Sequence, residues 1–214
     1  MPLLADYASL VELKSFMRIT DTADDTELGF ALTAASRAID QVANRHFGQD
    51  DTVATRYYTV PAGVARSTSD EFGGRATVAV DDIATVTGLI LLTASSDDGA
   101  FDQTLVINTD FRLWPWNAAG EGRPWERIVL GPSGSWPAGV RNVSLTAKFG
   151  WPAIPTPIKN ATLVQAGTIL KGGRDSPLGI AGSPDFGNEL RLSTKLHPIA
   201  AELVRPYVRM WAVA

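Results

Sequence analysis

Few residues in this 214-residue chain have the types and spacing that chemistry needs. The two histidines, His46 and His197, stand without a second imidazole at metal-ligand spacing, and each falls where a helix end or a turn is read. "GPSGSW" lacks the second glycine of a nucleophile elbow, and "LKGGRDS" does not have the spacing of a phosphate loop. Four Asp-Asp pairs (24/25, 50/51, 81/82 and 97/98) would suit acid–base work or calcium, but each is read beside a turn or helix start, where aspartate is favoured for local hydrogen bonds. "DDGAFDQT" also has no later glutamate to complete a calcium loop. The absence of cysteine removes thiolate catalysis, disulfides and cysteine-based zinc sites together. The expectation is a protein that is no enzyme and holds no metal or cofactor.

Tryptophan is the compositional oddity. Trp114, Trp116, Trp125, Trp136 and Trp151 fall within 38 residues, and each has proline next to it. The favoured reading makes "LWPW", "RPWE", "SWP" and "GWP" loop anchors whose rings pack over a sheet end, where proline lowers the cost of ordering. The competing reading is a carbohydrate-binding β module that stacks sugars on flat aromatic platforms.

The elements that would position these residues follow from the apolar period. In "SLVELKSFMRI", Ser9 and Glu12 have capping-box spacing, and Leu10, Leu13, Phe16 and Met17 share a helical face. A second helix starts at Asp24, with Glu27 reaching back, and carries the stripe Leu28, Ala31, Leu32, Ala35, Ile39 and Val42 to about Asn44. From Arg56 to Phe149 the period becomes extended. "RYYTV", "RATVAV", "IATVTGLILLT", "QTLVIN", "ERIVL" and "NVSLTAKF", separated by Gly/Pro/Asp turn clusters, predict about six antiparallel strands. Thr156 and Pro157 then open a third helix through Ile158, Ala161, Val164, Gln165, Ile169 and Leu170, which Gly172 and Gly173 should end. Residues 172–187, rich in glycine and proline, read as a long loop, and "NELRLS" as a short strand. The last helix begins near Pro198 with Ile199, Leu203, Tyr207 and Trp211 at intervals of four, and Pro206 should kink or interrupt it.

This layout predicts an α+β fold: a small bundle of about four helices with an inserted antiparallel β-sandwich or barrel-like block. The expected boundaries are 1–52 for the helical hairpin, 53–149 for the β insert and 150–214 for the second half of the bundle. Trp151, Pro152, Pro155 and Pro157 form a stiff joint that ends a strand and aims the following helix.

Charge bounds the partners. The net charge of -4 gives no general pull toward nucleic acid, and no stretch approaches the roughly 18 apolar residues of a membrane span. Residues 1–55 hold nine acids and four bases, whereas residues 156–214 hold four acids and seven bases. The two ends attract, either within one folded chain or between neighbouring copies.

"LVELKSFMRITDTADDTELGFALTAASRAIDQVANRHFG", "DFRLWPWNAAGEGRPWERIVL", "KFGWPAIPTPIKNATLVQAGTILKGGRDSPLGIAG" and "LHPIAAELVRPY" together resemble the head-to-tail adaptor, or connector, proteins of long-tailed bacteriophages over nearly the whole chain. The resemblance implies a structural virion protein assembled in the host cytoplasm. It would form a homo-oligomeric ring of about twelve copies beneath the portal, line the channel through which DNA passes without sequence-specific binding, and receive the next connector or stopper protein on its far face. In that family the C-terminal segment docks on the portal, which here points to Tyr207, Met210 and Trp211 beyond the break at Pro206. The Gly/Pro-rich loop, with Arg174, Asp175, Pro177, Pro184 and Phe186, is the expected contact between subunits. This chain departs from the pattern in its apolar ending "YVRMWAVA".

Overall fold

The computed structural model describes residues 5–60, 70–94, 99–137, 139–175, 180–182, 189–191 and 196–209. Two units emerge, one made of Met1–Phe47 with Ile154–Trp211 and the other of Gly48–Ala153. The α+β class is as the sequence reads.

In the helical unit, α1 (Leu10–Met17) opens on the expected capping box: the Ser9 hydroxyl accepts from the Glu12 N–H, and the Glu12 carboxylate accepts from the Ser9 N–H at 2.8 Å. The start of α2 (Asp25–Ala43) differs from the reading. Asp24 makes no side-chain capping bond, because its backbone (φ -103°, ψ 10°) lacks the extended conformation that aims a capping side chain inward. Asp25 instead accepts from Lys14 Nζ at 2.7 Å. Leu28, Ala31, Leu32, Ala35 and Ile39 are buried as predicted, but the stripe ends on Ala43, leaving Val42 exposed. On α1, Leu13 is fully buried while Phe16 is exposed.

The long helix α4 (Thr156–Asp175) packs against α1, α2 and the terminal α5 (Pro198–Val204). Ala31, Ala35 and Ala166 share one cluster with Leu13, Leu28, Leu163 and Leu170, and small side chains of this kind let helix axes approach closely. Gly172 and Gly173 do not end α4. Glycine costs only about 1 kcal/mol relative to alanine and keeps its N–H, so it weakens a helix without stopping it. The expected loop at 172–187 is therefore helical at its start, and Ile180–Gly182 (β7) pairs antiparallel with Glu189–Arg191 (β8) inside the predicted "NELRLS" strand. As predicted, α5 ends before Pro206, and the chain continues as a 3-10 turn over Arg205–Tyr207. Its buried face is Ala200 and Val204, one step from the stripe read in the sequence, with Ile199 exposed and Leu203 half-buried. That rotation goes with its entry, where the Gln165 side chain on α4 accepts from the His197 N–H.

In the β unit, β1 (Ala54–Tyr58), β2 (Thr77–Thr93), β3 (Gln103–Leu105), β4 (Phe111–Trp114), β5 (Trp125–Leu130) and β6 (Val143–Phe149) pair antiparallel in the order β1-β6-β2-β5-β4, with β3 on β2. The stretches read as two strands, "RATVAV" and "IATVTGLILLT", are one 17-residue strand. Its first part pairs with β5 and its second with β6 and β3, with register shifts after Ala79, Ile83 and Thr85 that mark bulges. "FRLW", read only as part of an anchor loop, is a strand, and Ala118–Glu121 within a predicted turn cluster is a short helix, α3. Val80, Ile83, Leu91, Phe111, Ile128, Leu145 and Phe149 belong to one apolar cluster, the core of this unit.

The chain enters and leaves this unit side by side. The Asp50 N–H donates to the Phe149 carbonyl at 2.9 Å, and the Trp151 N–H donates to the Gly48 carbonyl at 3.3 Å. Gly150 lies between them with φ +102°, and its own N–H donates to the Asp82 carbonyl at 2.7 Å. A Cβ at residue 150 would sit 1.7 Å from the Gly48 oxygen, so both the backbone conformation and the space require glycine. We expect Gly150→Ala to lose at least about 2 kcal/mol of stability in chemical denaturation, from strain and overlap together. Gly29→Ala, in a helix with open space around it, should gain about 0.4–1 kcal/mol. A Gly150→Ala protein as stable as wild type would contradict the close crossing.

Candidate functional site

Both histidines are engaged in hydrogen bonds that hold local structure. His197 caps α5, its Nδ1 accepting from the Ile199 N–H at 3.3 Å, as the helix-end reading requires. His46 instead joins a network that sequence reasoning missed. Tyr7, fully buried, presents its hydroxyl to the Asp40 carboxylate, to His46 Nδ1 at 2.7 Å and to the Phe47 N–H at 2.9 Å. Arg37 Nε holds the other Asp40 oxygen at 3.2 Å, and the Tyr7 N–H donates to Ser36 Oγ. Burial, reinforced by the Asp40 hydrogen bond, pushes the Tyr7 hydroxyl far above its usual range, so it stays protonated and serves as a fixed donor.

The aspartate pairs divide. Asp81 and Asp82 do not flank a turn but lie within β2, at its bulge. A carboxylate is tolerated there because Asp81 accepts from the Tyr58 hydroxyl at 3.0 Å and from Arg56 at 2.9 Å. Burial, followed by the Asp81 charge, raises the Tyr58 hydroxyl as well. Arg56 lies 3.9 Å above the Phe149 ring and reaches Asp50 at 3.8 Å, tying β1 to the chain crossing. The pair at 97/98 lies outside the described residues. Among the described residues, no three His, Asp or Glu side chains converge as metal ligands would.

Of the tryptophans described, Trp136 and Trp151 are buried, Trp114 and Trp125 half-buried, and Trp116 45% exposed. The Trp114 indole N–H donates to Glu71 at 2.6 Å, and Phe72 meets the Trp114 and Trp116 rings edge-on at 5.8 and 6.3 Å. Trp136 and Trp151 are thus buried outside the strands, as the anchor reading expects, whereas Trp114 and Trp125 belong to β4 and β5 and are not loop residues. A groove of about 410 Å3 lined by Thr93, Gln103, Asp110, Ser133 and Ser135, among others, carries neither histidine nor an aromatic ring.

At the joint, Trp151 is buried, Pro152 exposed, and Pro155 and Pro157 half-buried at the start of α4. The Pro155 carbonyl accepts from the Lys159 N–H, so both prolines sit where the helix needs no N–H from them. Tyr207 packs edge-on against Phe47 at 5.8 Å, and the Arg209 N–H donates to the Ala43 carbonyl at 2.8 Å, binding this segment to the end of α2. Arg174 and Asp175 are the last residues of α4 rather than part of a loop. Met210, Trp211, Pro177, Pro184 and Phe186 lie outside the described residues.

Neither a protein-family model nor a curated protein matches the sequence. The fold does match solved structures. A chain from the neck of an empty gene transfer agent particle, computed with C6 symmetry, superposes with a TM-score of 0.53 at 18% identity over 96% of this chain and 92% of that one. A chain from the virion of the native gene transfer agent particle gives 0.52 at 21% identity over the same shares. The likeness shows one fold across nearly the full length of each chain.

The opposite charges of the chain ends meet within the protein: Lys159 on α4 binds Glu12 on α1 at 2.8 Å. That bond, with those from Ser9, holds the Glu12 carboxyl down from the usual 4.5 to about 2. Because the folded value is the lower one, the contribution is complete above pH 4.5 and disappears as pH falls toward 2. Thermal melts of wild type and Glu12→Gln should therefore differ at pH 6 and converge near pH 2. With both side chains 39% exposed, salt should narrow the gap at pH 6. A difference that persists at pH 2 would contradict the assignment.

Proposed function

We propose that the protein is a structural adaptor of the neck of a phage-like particle, forming a homo-oligomeric ring under the portal and joining the DNA-filled head to the tail. The observation that carries this reading is the fold shared along 96% of the chain with a neck chain of a gene transfer agent particle. That neck was computed with C6 symmetry, which accommodates rings of six or twelve copies. The roles of the charged and aromatic residues support it, since their polar atoms are spent on holding elements together. A net charge of -4 suits a channel through which DNA slides, because dense basic contacts would retain the phosphates.

In this reading the chain after Pro206 faces the portal, with Met210 and Trp211 as its anchors and Tyr207 fixing the segment to the helical unit through Phe47. The opposite face of the ring receives the next connector or stopper protein. Assembly takes place in the host cytoplasm, and the mature location is the neck of the virion.

Electron microscopy of the purified protein, alone and with the portal protein of the same particle, tests the proposal. Rings with a central opening, stacked coaxially on the portal, are the expected result. Particles that remain single copies with and without portal would overturn it. The carbohydrate reading retains one exposed ring, Trp116, and would replace the adaptor reading if glycans retarded the protein in affinity electrophoresis and Trp116→Ala abolished that effect.

A further inference from the structure

In the β unit, the turn at 106–110 closes on itself beside the end of β5. The Asp110 N–H donates to the Val106 carbonyl at 2.8 Å, the Asp110 carboxylate accepts from the Val106 N–H at 2.7 Å, and the Gly131 N–H donates to the Asp110 carbonyl at 2.7 Å. These bonds fix one wall of a small cleft of about 90 Å3 whose lining includes Arg75, Thr109, Arg112 and Gly131. Strand pairing brings the two arginines there. Arg112 in β4 lies opposite Val129 of β5, and Thr77 at the start of β2, two residues after Arg75, pairs with the same Val129 from the other side.

Elsewhere in the protein Arg37, Arg56, Arg123 and Arg205 each reach a carboxylate. Among the described residues, neither Arg75 nor Arg112 has an ion pair or a side-chain hydrogen bond, and no acidic side chain lines the cleft. Asp110, next to it in the turn, is spent on the Val106 N–H and lines the neighbouring groove instead. Two like charges that open on one cleft repel each other until something negative stands between them.

We propose that this cleft is an oxyanion site that takes a phosphate group, held by the guanidinium groups of Arg75 and Arg112 with the Thr109 hydroxyl as a further donor. The inference goes beyond the adaptor reading and does not depend on it. A guanidinium presents a planar fork of N–H donors that matches phosphate oxygens two at a time. Two forks and a hydroxyl from three separate chain segments suit a tetrahedral anion with four oxygens better than a flat carboxylate with two. The space exceeds what one water needs, so the anion displaces several. Phosphate presents the same oxygens as a free ion and on a nucleic-acid backbone, and the test separates these sources.

Equilibrium dialysis of the full-length protein against radiolabelled inorganic phosphate at fixed ionic strength should give saturable binding of one phosphate per chain. Arg75→Gln and Arg112→Gln should each weaken it about tenfold or more. Arg127→Gln, which removes an equal charge from β5 outside the cleft lining, should change it less than about threefold. Arg112→Lys keeps the charge and loses the fork, so it should fall between wild type and Arg112→Gln, which separates recognition from any loss of fold. A double-stranded oligonucleotide that displaces the labelled phosphate identifies the nucleic-acid backbone as the source, and one that leaves it bound identifies the free ion or a small phosphate ester; both results keep the site. Absent or non-saturating binding, or a loss as large in Arg127→Gln as in Arg112→Gln, overturns it.

Discussion

A single close approach of backbone to backbone governs the architecture. The helical unit draws its helices from both ends of the chain, and the β unit uses the residues between, so the polypeptide must leave and return through neighbouring points. It does so where Gly48–Asp50 and Phe149–Trp151 lie hydrogen-bonded side by side. The Gly48 carbonyl occupies the space that any side chain at residue 150 would need. The "FGWP" stretch thus has a physical meaning: Phe149 closes the β core, Gly150 permits the crossing, and buried Trp151 precedes the prolines that open α4.

Within each unit, polar side chains fasten one element to another. Arg56 joins β1 to Asp81, to Asp50 and to the face of Phe149. Tyr7 joins the segment before α1 to the end of α2 through Asp40, His46 and the Phe47 N–H. A buried hydroxyl with such partners is costly to leave unsatisfied and rewards one arrangement over its alternatives. Both tyrosines have proton affinities shifted away from catalytic use, because burial favours their neutral forms. The same burial that makes them good fasteners makes them poor acids.

What the sequence made legible follows the range of each interaction. The capping box of α1 and the buried run from Leu28 to Ile39 depend on neighbours three or four residues away, and both were readable. So was the end of α5 before Pro206, because proline acts on its own turn. The errors lie where distant partners decide. Asp81 sits inside a strand because Tyr58 and Arg56, more than 20 residues earlier, satisfy it. "FRLW" becomes a strand because β5 is there to pair with it, although proline and tryptophan beside it look like a loop. Tyr7 gave no local signal, since its hydroxyl partners are 33 to 40 residues away. The resemblance to connector proteins carried over as a fold; the proposed contact loop and portal-facing residues did not acquire a described geometry beyond Arg174, Asp175 and Tyr207.

The central claim is that helices from the two ends of the chain form one unit whose connection through the β block is needed only to bring the chain back to where it left. The direct measurement is to replace residues 51–148 with a short Gly/Ser linker, which the adjacent positions of Gly48 and Trp151 allow, and to record helical circular dichroism through a thermal melt. The account predicts a soluble protein with a cooperative loss of helix, because the cluster of Leu13, Leu28, Leu32, Leu163 and Leu170 lies wholly outside the excised residues. A product that aggregates, or that lacks a cooperative helical transition, would contradict it.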